Sequence, residues 1–197
     1  MISRLVIATH NRNKAGEMLT ILGTRFPEIE ILTLADFEGA PEPEETGTTY
    51  VENATIKANS AFEFCREWCV ADDAGLEIDA LEGAPGLYSK RFGGEDLPFP
   101  EKMAKILSML AGEDDRGARF RCCVALVGPN HPPKVFESTC EGLIANEPSG
   151  KGGFGYDPIF FLPEMNCCMA DLTAEQKHQI SHRGKILLQL GDYLAAL

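Results

Sequence analysis

Positive charge is scarce in this chain. Lys and Arg number 18 against 30 Asp and Glu, a formal net charge of −12. A broad, non-specific nucleic-acid interface needs a basic face, so that class is excluded. A phosphate ligand is not excluded. Charges more than about 8 Å apart are largely screened at physiological salt, so a local cluster of Lys and Arg can still hold an anion. No apolar run approaches the roughly 20 residues of a membrane span, and no secretory leader is expected ahead of the first apolar run. Repeats, low-complexity tracts and linkers are absent. With 197 residues, 44% of them hydrophobic, the chain reads as one globular unit with one or two lobes. It has no Walker A sequence, which excludes a P-loop nucleotidase. No Ser-His-Asp or Cys-His set stands out, which argues against a covalent route. The seven cysteines give no disulfide framework, because the count is odd and Cys122–Cys123 and Cys167–Cys168 are sequence neighbours. Cys65 and Cys69 have no matching second pair. Reduced cysteines, mostly small buried hydrophobes, in a cytoplasmic protein are expected.

What the chain does have is centred on Cys69–Gly75, where short apolar residues run into two adjacent aspartates and a glycine. That is how the carboxyl end of a buried strand looks when it delivers carboxylates to a site. Strand side chains alternate, so Asp72 and Asp73 face opposite ways. One can reach a cleft to hold a metal or a water while the other braces the loop. Gly75 frees the backbone to turn immediately afterwards. Alone, Asp-Asp-x-Gly is better explained by a polar turn than by catalysis, so the case rests on what else the chain sends there.

Leu5–Ala8 is a short buried strand. Thr9-His10-Asn11-Arg12-Asn13-Lys14 follows it and opens a helix, with Asn11 or Asn13 as the N-cap. A strand, a polar loop and a helix start together present free N–H groups to an anion. Lys14 opposes the helix dipole there, which a bound phosphate would explain. Ile29–Leu32 reads as a strand, and the acidic, proline-bearing loop Pro41–Glu45 as irregular. Thr49 and Glu52 form a capping box. The helix it opens has Val51, Ala54, Ala58 and Phe62 on one face, with Asn53 and Lys57 on the other.

Leu76–Leu81 reads as a further strand, and Leu87–Gly94 as an extended segment that ends in a flexible loop. Pro100–Leu110 reads as an amphipathic helix. Arg119–Val127 and Val135–Ile144 read as a long hairpin around Gly128–Pro133, forming a second lobe's sheet. In Gly150–Pro158 the glycines let the backbone approach a ligand, and Phe154 and Tyr156 offer rings to a flat base. Thr173 and Gln176 form another capping box with Lys177 just inside. Ser181 caps the last helix, whose apolar stripe is Ile186, Leu187, Leu190 and Leu194. His182 and Arg183 put basic groups at that helix start, again against the dipole.

Together these residues supply carboxylates (Glu44, Glu45, Asp72, Asp73), phosphate-seeking cations (Lys14, Lys57, Lys177, Arg183) and an aromatic glycine-rich loop. Metal-bridged phosphate and a stacked base describe a nucleoside triphosphate. Hard oxygen ligands select Mg²⁺, which keeps several waters and takes one or two carboxylates plus substrate phosphates.

Five blocks carry a family resemblance: VIATHNRNKAGEM, EETGTTYVENATIKA, VADDAGLEIDALEGAPGLYSKRFGG, GGFGYDPIFF and SHRGK. They span nearly the whole chain. In this order they resemble the inosine/xanthosine triphosphate pyrophosphatase family. The resemblance implies an α/β fold with an elongated mixed central sheet flanked by helices, two lobes with an active-site cleft between them, and a homodimer. It implies Mg²⁺-dependent hydrolysis of the purine nucleotides ITP, dITP and XTP to monophosphate and pyrophosphate, which cleanses the nucleotide pool of deaminated purines. Thr9, His10, Asn11, Arg12, Asn13 and Lys14 match the phosphate-gripping loop. Glu45, with Glu44 beside it, matches the metal-binding acid. Asp73 matches the catalytic base or metal ligand, with Asp72 its neighbour. Lys57 matches a phosphate-side lysine. Phe154, Gly155, Tyr156 and Asp157 match the base-stacking loop, and Lys177, His182 and Arg183 the purine-contacting group. Ala74 stands where the family commonly has serine. A hydroxyl contact is lost there, while a backbone N–H contact to substrate survives.

Overall fold

The computed structural model describes residues 2–197. Those residues form one mixed seven-stranded sheet in the order β2-β1-β3-β4-β5-β6-β7, with helices between the earlier strands and two more after the last. The strands are β1 (Arg4–Ile7), β2 (Glu30–Thr33), β3 (Trp68–Ile78), β4 (Gly117–Gly128), β5 (His131–Ile144), β6 (Phe160–Leu162) and β7 (Cys167–Cys168). The helices are α1 (Arg12–Arg25), α2 (Tyr50–Cys65), α3 (Phe99–Met109), α4 (Ala174–Ile180) and α5 (His182–Ala195). The α/β class is as the sequence implies.

The chain divides into two compact units. The first comprises Met1–Asp73, Cys122–Ser138 and Arg183–Leu197. Its β1 pairs in parallel with β2 and also with β3, in the register Leu5↔Trp68, Val6↔Cys69, Ile7↔Val70. The chain steps from β1 outward to β2, then crosses to the other side of β1 for β3. That reversal makes a switch point, and open α/β sheets bind ligands outside the carboxyl ends of their strands at such a point. Leu5, Val6 and Ile7 are wholly buried, as a parallel strand covered on both faces requires. Met18 and Leu22 of α1, Ala54, Ala58 and Ala61 of α2, and Ile186, Leu187 and Leu190 of α5 add buried apolar helix surface.

The second unit comprises Ala74–Arg121 and Thr139–His182. Its core gathers Leu76, Ile78, Ile106, Leu110, Phe120, Ile159 and Phe160. β5, β6 and β7 pair there antiparallel, with Ile144↔Phe160 and Phe161↔Cys168 in register.

Several sequence expectations are corrected. Gly75 does not turn the chain: β3 runs through it to Ile78. Leu76 and Ile78 are fully buried, and their burial overrides the turn signal of Asp-Asp-Ala-Gly. The separate strand expected at Leu76–Leu81 is therefore the second half of β3, and Asp79–Leu81 is a 3-10 turn. Leu87–Gly94 is not extended; Gly86–Tyr88 is a 3-10 turn and more turns follow. β4 and β5 are longer than expected and only Pro129 and Asn130 link them. Asn130 takes φ 56°, a left-handed value that Asn tolerates. The prolines at 132 and 133 sit in the opening residues of β5, where a strand can accept them. The expected second sheet does not exist among the described residues, since β4 and β5 belong to the same sheet as β1.

Candidate active site

The candidate site residues fall into polar groups in each of the two units. In the first unit, the loop after β1 feeds α1. Asn11 is the N-cap, its Oδ1 accepting from the N–H groups of Asn13 (3.0 Å) and Lys14 (3.2 Å). Thr9 Oγ1 accepts from Asn11 N at 3.2 Å. The ring Nε2 of His10 lies 3.2 Å from the Pro41 carbonyl. His10, Asn11, Arg12 and Asn13 are exposed, and Thr9 and Lys14 half-buried. The cap fixes the first turn, and that turn aims Lys14 inward: its Nζ is 3.0 Å from Asp72 Oδ2.

β3 presents its two aspartates to different partners, as strand alternation demands. Asp72 Oδ2 accepts from Arg183 Nη2 at 2.9 Å, and Arg183 Nη1 donates to Glu17 at 2.7 Å. Asp73 Oδ1 accepts from Lys57 Nζ at 3.0 Å, and Asp73 Oδ2 from Asn53 Nδ2 at 3.3 Å. The same Lys57 ammonium donates to Glu45 Oε1 at 2.9 Å. Thr49 starts α2 by accepting from Glu52 N at 3.1 Å, and the Glu52 carboxylate accepts in turn from Thr48 N and Oγ1, with the Thr49 backbone also acting on it. α2 then carries Asn53 and Lys57 one turn apart. Asn53 is buried, so the face it shares with Lys57 is turned into the fold.

The fields on these groups differ. Burial would push Asp72 up, but Lys14, Arg183 and Lys57 overcome it and hold that carboxyl far below the usual carboxylate range. Burial also pushes Asp73 up, and there it wins: the pKa is raised despite Lys57 and Lys14, with Glu45 adding to the rise. Burial would lower Lys57, but Asp73, Asp72 and Glu45 outweigh it and raise its pKa. Lys57 is therefore a fixed cation, and of the two aspartates Asp73 is the nearer to taking a proton.

In the second unit, Asp157 Oδ2 accepts from Phe154 N at 2.8 Å and from Lys177 Nζ at 2.7 Å. Lys177 Nζ also lies 4.5 Å from the centre of the Phe154 ring, within cation–π range. Lys177 is brought there by α4, whose capping box joins Thr173 and Gln176 as expected. Gly153 takes φ 67°, and a Cβ there would lie 2.1 Å from Asp157 Oδ2, so only glycine lets the loop close on its own carboxylate. Gly155 also has positive φ.

Tyr156 departs from expectation. It is 3% exposed, its hydroxyl donates to the Ser89 carbonyl at 2.8 Å, and Phe99 packs edge-on to its ring at 5.2 Å. It is a core residue with a satisfied hydroxyl, so of the two loop aromatics only Phe154 is half-exposed. His182 is also buried, its ring 4.9 Å from that of Phe120. Ala74 is half-buried at the start of this unit.

The structure thus brings Glu45, Lys57 and Asp73 together, and Lys14, Asp72 and Arg183 together. It separately joins Phe154, Asp157 and Lys177. Glu44 is exposed. Sequence reasoning missed Glu17, which holds Arg183, and Ser89, which anchors Tyr156. Glu17 offered the weak signal of lying one turn after Lys14. Ser89 offered none, because its bonds are long-range: its hydroxyl accepts from Leu76 N at 2.9 Å.

All seven cysteines are free, as expected. No helix among the described residues is long and apolar enough to cross a membrane.

This geometry has known relatives. The Ham1 family model matches residues 5–193. A dITP/XTP pyrophosphatase of Geobacillus kaustophilus (strain HTA426) is 45% identical over 193 residues, 97% of this chain and 94% of that protein. A HAM1 protein from Coxiella burnetii has the same fold, with a TM-score of 0.90 at 41% identity over 100% of both chains. The Ham1 protein of Staphylococcus aureus gives 0.89 at 38% identity over 98% of each. A match along almost the entire length, in sequence and in fold, means that the chain belongs to the Ham1 family.

Proposed function

We propose that this protein hydrolyses aberrant purine nucleoside triphosphates (ITP, dITP and XTP) to the monophosphate and pyrophosphate. Its relatives' name, dITP/XTP pyrophosphatase, supports that substrate class. The observation that carries the reading is the pair of carboxylates, Glu45 and Asp73, held on one lysine ammonium at 2.9 and 3.0 Å beside the switch point of the sheet.

A divalent cation, magnesium in this reading, fits the donor set. Among the described residues no group of three or more His, Cys, Asp and Glu forms a metal cage. Mg²⁺ does not need one, since it takes one or two carboxylates and fills its sphere with water and substrate phosphates. Asp72 Oδ1 adds a buried oxygen with no hydrogen-bond partner. Glu45 and Asp73, with Asp72 beside them, would hold the ion, which when bound supplies positive charge against the triphosphate.

This chain's own residues do the rest. Asp73, with its raised pKa, accepts a proton from a water, or orients that water, for attack on the α-phosphorus. Lys57 and Lys14 offset the charge of the departing pyrophosphate. Phe154 offers a ring face to the base. Its backbone is tied by Asp157, whose charge Lys177 balances, so little order remains to be gained on binding. Selectivity against adenine rests on the 6-position. Donors built for a 6-oxygen are left unpaired by an amino group, a discrimination of roughly 10⁴-fold. We take the two units as one functional domain, assembled as a homodimer.

The test is a nucleotide panel with pyrophosphate and orthophosphate detected separately. Release of pyrophosphate from dITP, ITP and XTP in preference to ATP and dTTP is expected. Orthophosphate as the first product would overturn the reading.

A further inference from the structure

Two thiols lie where α2 meets β3. Cys65 is the last residue of α2. Arg66 ends the helix with φ 60°, its N–H on the Phe62 carbonyl, and only Glu67 intervenes before β3 begins at Trp68. This tight reversal folds the chain back, so Cys65 Sγ and Cys69 Sγ come to 3.4 Å. The two sulfurs are held unequally. Cys69 is buried and fixed by the sheet, paired in register with Val6 of β1, and its thiol donates to the Glu67 carbonyl at 3.4 Å. Cys65 is half-exposed at a helix end. A disulfide bond is about 2.0 Å long, so the sulfurs need to close by only about 1.4 Å, within the reach of a side-chain rotation at a fraying terminus.

We propose that Cys65 and Cys69 form a reversible dithiol/disulfide site, with Cys65 the attacking thiol and Cys69 the resolving one. The division of labour follows from access. Solvent reaches Cys65, whereas Cys69 is buried and can be reached only from within, and burial keeps it protonated until it is used.

The co-reactant is a low-molecular-weight disulfide, RS–SR. The Cys65 thiolate attacks one of its sulfurs, the RS–SR bond breaks, and RS⁻ leaves, giving a mixed disulfide on Cys65. Cys69 then gives its proton to the departing thiolate. Its sulfur displaces the second RS group and joins Cys65. Two protein thiols are oxidised and one RS–SR is reduced to two RSH. The bond staples the carboxyl end of α2, the helix of Asn53 and Lys57, to the strand that ends its unit in Asp73. Nothing in this proposal depends on the nucleotide reading.

The experiment treats the folded full chain with oxidised glutathione, alkylates the remaining thiols and maps the peptides by mass. In the wild-type protein, two of the seven thiols should disappear together, linked as Cys65–Cys69, and dithiothreitol should restore both. The half-exposed Cys167 should still alkylate. Cys69→Ser should stop at a glutathione adduct on Cys65, and Cys65→Ser should leave Cys69 unreacted. A persistent Cys65 adduct in the wild type, a bond between other cysteines, or no thiol loss would each overturn the proposal. The wild-type map decides the matter even if a variant does not fold.

Discussion

Asp72 and Asp73 are the same residue type, one bond apart on one strand, and their surroundings push them in opposite directions. Asp72 has two cations bonded to it, Lys14 at 3.0 Å and Arg183 at 2.9 Å, the second of which also pairs with Glu17, and its side chain is wholly buried. Asp73 must share its one directly bonded cation, Lys57, with Glu45. Both feel burial, which disfavours the ionised form, but only Asp72 has enough opposing charge to overcome it. The two faces are not independent, since each aspartate also feels the other's lysine across the strand. In the proposed mechanism the acid/base assignment comes from how cations are apportioned, with Asp72 the permanent anion and Asp73 the proton acceptor.

The largest way to break this comparison is to remove the proton acceptor. Asp73→Asn keeps the shape and the Asn53 contact but cannot take a proton. Turnover of dITP should fall by at least about 10²-fold, the usual scale for a general base. Because the ionised form of Asp73 is disfavoured in the fold, the same variant should unfold in urea at nearly the wild-type midpoint. Wild-type-like turnover would remove Asp73 from its role.

Asp72→Asn should do the reverse. It takes one carboxylate from the buried Arg183, whose pair with Glu17 remains, and removes the charge that Lys14 bonds. Breaking one side of a buried ion pair is worth roughly 3–5 kcal/mol, read from denaturant midpoints, with a smaller effect on turnover than Asp73→Asn. If the folding free energy moves by less than about 1 kcal/mol, the network is not the brace described here.

The pH dependence sharpens the contrast. Asp72 has a folded pKa below its unfolded value. Its stabilising contribution is present above the ordinary carboxylate pKa of about 3.9 and drains away as pH falls further. Asp73 has a raised pKa, so its contribution has the opposite sign: protonation favours the fold, and that gain is lost as pH rises through the folded pKa. Wild-type stability should therefore drop as pH is lowered below about 5, and Asp72→Asn should lose distinctly less over the same interval, since the smaller contributions of other carboxylates with lowered pKa, Asp79 and Glu52, are common to both. Thermal midpoints at stepped pH would show it, and parallel curves would refute the assignment.

Much of this was legible in the sequence, and the misses share a cause. Local signals held where the structure is local. Of the two asparagines offered as the cap of α1, Asn11 takes the place; Thr173 and Gln176 cap as written, Leu5–Ile7 is a buried parallel strand, and Ile186, Leu187 and Leu190 line the inner face of α5. The convergence of Glu45, Lys57 and Asp73 was implied by family blocks, since these residues are up to 28 positions apart and no periodicity links them. What failed were places where tertiary burial outvotes composition. Gly75 looked like a turn because of its neighbours, yet Leu76 and Ile78 continue the strand into a core. Tyr156 looked like a ligand aromatic because it sits among glycines, yet its hydroxyl finds a backbone partner 67 residues away. A sequence cannot show which of two aromatics in a loop turns inward, because that depends on the acceptor waiting there.

The two loop aromatics give the finest test of that point. Phe154→Ala should weaken dITP binding by about 1–3 kcal/mol, the range for a base stacked on a ring, seen as a raised KM with kcat little changed. Tyr156→Phe keeps the ring and deletes only the hydroxyl. It should leave the ratio of dITP to dATP turnover unchanged and reduce stability by about 1 kcal/mol, the net worth of one hydrogen bond. The Ser89 carbonyl would then be left without that donor, while the Phe99 contact at 5.2 Å would remain. A shift in base selectivity in Tyr156→Phe would mean that the hydroxyl addresses the substrate after all, and that the division between one inward and one outward ring is drawn in the wrong place.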